Sequence, residues 1–287
     1  MPTILFDGIA YGMLLFVLAC GMSVTLGLMN FVNLAHGAFA MAGGYAAAIA
    51  MNRFGAPFLA ALPAAFIVAA IFGIALERTL YRRLYGASPL DQLLFTIGLV
   101  LMAMPIANYF FGDQPQSAPP PAFLQGRIEF AGAGIGVYRL FIILVCGAIA
   151  AGLQVFLIST RFGAQLRAAV DDARVASGLG VDVDRLFAVT FAVGCGLAGL
   201  GGALAADVVG GVDPGFPVKF MVSFLIVVTV GGSRGVLGAL LGALLLGVLD
   251  VAGKYYVPSI GAFIIYAVMV AVLLIRPQGL FARGGGR

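Results

Sequence analysis

The sequence predicts an all-α fold, a polytopic transmembrane helix bundle of about 8–10 membrane segments with a short helix on the cytoplasmic side, forming one domain over residues 1–287. Three observations predict it. The chain is 62% hydrophobic and only 10% charged, whereas a soluble domain carries about a quarter charged residues, so a water-facing surface cannot be covered. Apolar runs recur at about the 20-residue length that crosses a hydrocarbon core roughly 30 Å thick. The basic residues gather at the ends of alternate runs, as cytoplasmic retention of Lys and Arg requires.

Taken in order, the runs place spans at 4–28, 34–52, 57–80, 90–111, 138–159, 185–209, 219–231, 236–252 and 259–275. No Lys or Arg precedes Arg53, so the basic start of a cleavable signal is missing and the first run is expected to stay as a span. Arg78, Arg82 and Arg83 mark one inner loop, Arg161, Arg167, Arg174 and Arg185 a second, Arg234 a third, and Arg276, Arg283 and Arg287 the C-terminus. That leaves Arg53, Arg127, Arg139, Lys219 and Lys254 outside, with the C-terminus cytoplasmic and, by alternation, the N-terminus outside. Because the Arg residues are scattered over span ends, the net charge of +4 carries topology and implies no nucleic-acid partner. Cys20, Cys146 and Cys195 each sit in an apolar run and are expected to pack as small hydrophobes.

Between the fourth and fifth spans, residues 112–137 form the longest outer loop. Its Pro115, Pro119, Pro120 and Pro121 disfavour helix and favour extended backbone, suiting either a docking site for a soluble partner or a plain periplasmic connector.

From Gly8 to Met51 the chain is too long for one span, and its polar groups are small hydroxyls, Asn30, Asn33 and His36. The trio lies at a tight turn between two spans or at a break inside the membrane, the device transporters use for midplane sites. Asn33 is placed to cap a helix starting at Leu34. His36 either bonds a neighbouring helix or faces the translocation pathway, where with Asn30 and Asn33 it would take part in gating.

Small residues repeat at four-residue spacing in Gly194, Ala198 and Gly202 and in Ala239, Ala243 and Gly247, which predicts close helix contacts. The run from Gly231 to Gly235 has no preceding strand and no following Gly-Lys-Ser/Thr, so it is a helix break and no phosphate loop.

The segment 161–185, RFGAQLRAAVDDARVASGLGVDVDR, reads as one short amphipathic helix. Leu166, Val170 and Ala173 share a face, Arg167 and Asp171 can pair, and Gly178 and Gly180 end it. Its small Ala168, Ala169, Ala173 and Ala176 would seat it closely in a partner's groove, with Arg167, Asp172 and Arg174 at the rim. Little lipid affinity is expected from an alanine-rich face beside Asp171 and Asp172. No nucleophile, metal set or acid pair is visible, so the chain is not expected to be an enzyme or to hold a cofactor. An ion-coupled transporter or channel would want titratable groups in mid-membrane, and here only His36, Asp207 and Asp250 qualify.

Three stretches resemble the permeases of the hydrophobic amino acid uptake group of ABC importers, in their LivH-type branch. These are Asn30-Phe31-Val32-Asn33-Leu34-Ala35-His36-Gly37 with the glycines up to Tyr45, the cytoplasmic Gly163, Arg167, Ala168, Asp172, Ala176, Gly180 and Val181, and the ending Arg276-Pro277-Gln278-Gly279-Leu280-Phe281. The resemblance, which runs over nearly the whole chain, implies a permease in the bacterial inner membrane, bathed in lipid and working with a second, LivM-type permease, two ATPase subunits that bind the ATP, and a periplasmic binding protein. It implies that Gly163, Arg167, Asp172, Arg174, Ala176 and Gly180 belong to the element coupling the permease to its ATPases. Relatives of this architecture carry branched-chain and other amino acids, urea, short amides or aromatic acids, which the signature segments do not separate.

Overall fold

The structure, a computed structural model, describes residues 2–29, 31, 33–130, 133–232, 235–276, 279 and 280. Its helices are α1 (Pro2–Met29), α2 (His36–Asn52), α3 (Phe58–Thr79), α4 (Pro89–Phe111), α5 (Val137–Ser159), α6 (Arg161–Asp171), α7 (Ala173–Gly178), α8 (Val183–Val208), α9 (Phe216–Gly231), α10 (Val236–Tyr256) and α11 (Ile264–Ile275). Six helices, α1, α3, α4, α5, α8 and α10, are long and apolar enough to cross a membrane. With the shorter α2, α9 and α11 they account for every run expected in the bilayer. The largest boundary shifts are at the seventh segment, which starts at Phe216 instead of 219, the eighth, which runs on to Tyr256 instead of 252, and the last, which starts at Ile264 instead of 259, after a 3-10 turn over Gly261–Phe263; the other boundaries move by two residues or fewer.

Close approach through small residues holds the centre together, as the four-residue spacings predict. α1 packs along α10, and α3 along α8. A Cβ at Gly12 would lie 2.8 Å from the Leu244 Cα, and one at Gly194 would lie 3.1 Å from the Gly21 Cα. In lipid, where no hydrophobic drive separates helix from tail, such backbone contact supplies the van der Waals energy of association. Cys20, Cys146 and Cys195 are free and buried, as small core residues.

Two ends of the bundle are distinct. One carries α6, α7 and the turn Tyr81–Leu84, whose Arg82 pairs with Asp184 at the start of α8. The other carries residues 112–137, where Arg139 pairs with Asp7 of α1 and the Phe58 and Tyr138 rings meet 6.0 Å apart. The proline stretch is extended, as expected, and Gln116 forms a two-way backbone bridge to Val212, each N–H···O distance 2.9 Å. The same loop holds a feature the sequence did not announce, an antiparallel hairpin of β1 (Arg127–Phe130) and β2 (Ala133–Gly136) with Arg127 opposite Gly136. Asn52 Nδ2 donates to the Ser117 carbonyl at 3.1 Å, so the loop is tied down over the bundle.

Candidate functional site

The chain between α1 and α2 turns inside the bundle. His36 is completely buried, and a Cβ at Gly21 would lie 2.5 Å from its Cε1. Gly21 precedes the α1 terminus at Met29 by about 12 Å of helical rise. Of the two arrangements open from the sequence, the geometry matches a break inside the bundle and not a turn beyond its end. Asn33 does not cap α2, correcting the expectation: Ala35 is the N-cap residue and no side chain caps the helix. The Asn33 Oδ1 instead accepts a 3.0 Å bond from the Tyr81 hydroxyl, and its Nδ2 is buried without a partner among the described residues. A phenol arriving from a distant turn outcompetes the local helix end for the one good acceptor. Asn30 lies outside the described residues.

The His36 ring meets Phe224 of α9 edge-on at 6.2 Å. Neither ring nitrogen makes a hydrogen bond of good geometry among the described residues, although the Leu18 carbonyl of α1 is near enough to act on the ring. An interhelical bond from His36 is not seen at good geometry among the described residues. Tyr81 stacks among Phe31, Phe95 and Phe191, and Tyr85 donates to Glu77 at 2.7 Å. Burial pushes both phenols up, assisted for Tyr85 by the Glu77 carboxylate, so each remains a donor.

A second break follows α8. Residues 209–215 fold back from Val208, with Gly211 at φ 118° donating to the Ala206 carbonyl at 2.6 Å. Asp213 Oδ1 accepts from the Gly215 N–H at 2.8 Å, and Pro217 opens α9. A Cβ at Gly37 would lie 2.8 Å from the Pro217 Cα, so the first turns of α2 and α9 meet inside the bundle.

Beside this second break a cavity of about 260 Å³ is lined by Tyr11, Phe220 and two ion pairs, Asp213–Lys219 and Asp250–Lys254. The Asp250 carboxylate is 5% exposed and its lysine, 2.6 Å away, 56%. The lysine also lies 5.8 Å above the Tyr11 ring. A second cavity, about 360 Å³, abuts the Asp213–Lys219 pair from the α4 side, at Asn108 and Asp113. Of the acids expected to lie within spans, Asp250 is buried and Asp207 exposed at the end of α8. An exposed pair gains only about 0–1 kcal/mol, while removing a carboxylate from water costs several kcal/mol. Stability therefore does not account for Asp250.

The segment 161–185 departs from the single helix expected of it. Asp172, extended at φ −154°, ends α6 and caps α7 by accepting from the Arg174 and Val175 N–H groups at 2.9 and 3.0 Å. Asp172 therefore serves the turn, and Ala173 leaves the face of Leu166 and Val170. Ala176 is not on an outer face either: it packs with Leu166, Ala169 and Leu186 in a small core of its own. Arg167 donates to the Leu157 carbonyl instead of pairing with Asp171. A Cβ at Gly163 would lie 2.8 Å from the Leu157 Cα, and Gly180 takes φ 88°. Arg174 remains exposed, with Val175 and Leu179 at 58% and 81%.

With this geometry in view, comparison with known proteins is direct. The family described as branched-chain amino acid transport system / permease component matches residues 4–273. The chain belongs to that family. The BraD permease protein of Pseudomonas aeruginosa, of a high-affinity branched-chain amino acid transport system, is 29% identical over 97% of this chain and 95% of its own. The LivH permease protein of Escherichia coli is 26% identical, over 97% and 94%, and a probable LivH permease of Methanocaldococcus jannaschii 28%, over 96% and 91%. No solved structure matches.

In this LivH-type permease the sequence-predicted residues fall into two groups at different depths. Asn33 and His36 lie together in the interior, while Gly163, Arg167, Asp172, Arg174, Ala176 and Gly180 lie together at one end. Between them runs a connection the sequence did not reveal: Tyr81 holds Asn33, and the next residue, Arg82, pairs with Asp184. Asp213 and Lys219 also went unnoticed as a pair, because the five residues between them straddle a helix start, and a separation of six matches no helical spacing. Asp250 and Lys254, four apart on one helix, follow a readable spacing.

Proposed function

We propose that this chain is the membrane-spanning subunit of a binding-protein-dependent ABC importer that carries branched-chain or related hydrophobic amino acids across the bacterial inner membrane. Its partners in this reading are a LivM-type second permease, two ATPases that bind and hydrolyse ATP, and a periplasmic binding protein, with the C-terminus cytoplasmic. What supports the reading is the family match over residues 4–273 together with relatives of nearly equal length whose names specify branched-chain amino acid transport. The paired helices α6 and α7 suit an ATPase contact: they carry their own small core, so they move as a unit with the ends of α5 and α8, and they present Arg174, Val175 and Leu179 outward. Closure of the ATPases would then be felt at α5 and α8 and, through Asp184, Arg82, Tyr81 and Asn33, at the interior break. The experiment is reconstitution of the complex in proteoliposomes. Leucine uptake that requires ATP and the binding protein is expected, and Leu179→Asp should weaken co-purification of the ATPases. Leucine uptake independent of ATP would overturn the reading.

A further inference from the structure

We infer that the cavity bounded by Tyr11, Phe220, Asp213–Lys219 and Asp250–Lys254 is a recognition subsite for the zwitterionic head of an amino acid. The inference rests on the reading of the chain as an amino acid permease and narrows its substrate class. The two carboxylates are the fixed half of the site, with side chains 17% and 5% exposed, while their lysines are 61% and 56% exposed and free to swing. Each carboxylate is now occupied by a lysine ammonium. A substrate α-ammonium can take that place on Asp250 or Asp213, and the released lysine can close on the substrate carboxylate, exchanging one ion pair for two charge-assisted contacts. Two acids and two ammonium groups sum to no net charge, so a zwitterion enters without leaving a charge uncompensated. A cation, an anion or a neutral amide each leaves one partner unmatched. Phe220 and Ile265 supply apolar wall for the side chain, and the volume, about 260 Å³, lies at the small end of ligand pockets. The cavity sits at the end of the bundle bearing residues 112–137, since its lining residue Gly211 adjoins Val212, which is bridged to Gln116. In the proposed orientation that is the side from which an importer receives its substrate.

The test is saturation-transfer NMR on the full-length chain in lipid nanodiscs, with L-leucine, 4-methylpentanoate, 3-methylbutylamine and urea as probes. Leucine should be favoured over each of the other three by about tenfold, the factor expected for one charge-assisted contact. Asp250→Asn should reduce leucine to the level of 4-methylpentanoate. Because Asp250 is buried and its replacement can disturb folding, the exposed Lys254 carries the decision: Lys254→Met combined with Lys219→Met should reduce leucine to the level of 3-methylbutylamine. Undiminished preference for leucine in that double variant, or no preference in the wild type, overturns the subsite. The same variants in the reconstituted importer separate the two levels of inference. ATP-driven leucine uptake that is unchanged in the double variant discards the subsite and keeps the permease reading, whereas wild-type importer that takes up no leucine discards both.

Discussion

The breaks before α2 and α9 use the same backbone device for opposite chemistry. Each interrupts the bundle and starts a helix in its interior, and the two starts touch through Gly37 and Pro217. The first carries an amide and an imidazole, both fully buried and partly unpartnered among the described residues. The second carries a carboxylate and an ammonium, joined to each other and open to a cavity. The contrast follows from solvent access. An uncharged group can be buried at a cost of about 1–3 kcal/mol when imperfectly bonded, but a bare charge cannot. The charges therefore stand where water reaches, and the neutral groups stand where it does not. A dry break in which some polar atoms lack partners among the described residues is held mainly by shape. A wet, charge-paired break suits recognition.

The largest effect that would sharpen this contrast is at Gly21. Gly21→Leu drives a side chain into the His36 ring and the Gly194 backbone, neither of which can yield, and should cost at least about 3 kcal/mol. Loss of the monodisperse peak in size-exclusion chromatography is the expected outcome; a folded variant would show that the first break is loosely packed. Next comes His36→Lys, which places a charge in the dry break and should destabilise by about 3 kcal/mol, read as a lowered thermal midpoint in nanodiscs. A midpoint unchanged from wild type would mean that water reaches both breaks, and the distinction between them would fall. Tyr81→Phe removes the donor to Asn33 and should cost about 1 kcal/mol, with transport reduced more than folding because the tie to Arg82 and Asp184 is cut. Equal loss of both would make Tyr81 a packing residue only. The smallest effect is expected at Lys219→Gln: stability within about 1 kcal/mol of wild type, since the lysine is exposed, but a reduced preference for leucine over 3-methylbutylamine. A large loss of stability there would show that the wet break, too, is held together by its charges.

The sequence by itself determined the membrane bundle, the positions of its spans to within a few residues, the buried cysteines, the close contacts of small residues and the family. These properties follow from hydropathy, charge and residue size, which each residue carries wherever the chain goes. The division of the segment 161–185 at Asp172 was readable in principle, because an aspartate before a fresh helical turn is a strong cap, but the helical spacing of Leu166, Val170 and Ala173 pointed the other way. Only the tertiary structure decided what the polar residues do. Asn33 bonds Tyr81 because α3 packs against α2 and α8 and so brings its following turn to the segment just before α2. His36 is left without a good partner because Gly21 and Phe224 enclose it. Asp213 and Lys219 stand at a cavity because the chain after α8 folds back before α9 begins. A hydrogen bond or ion pair depends on the position and direction of two groups at once, and for groups far apart in the chain that relation is set by how the helices pack.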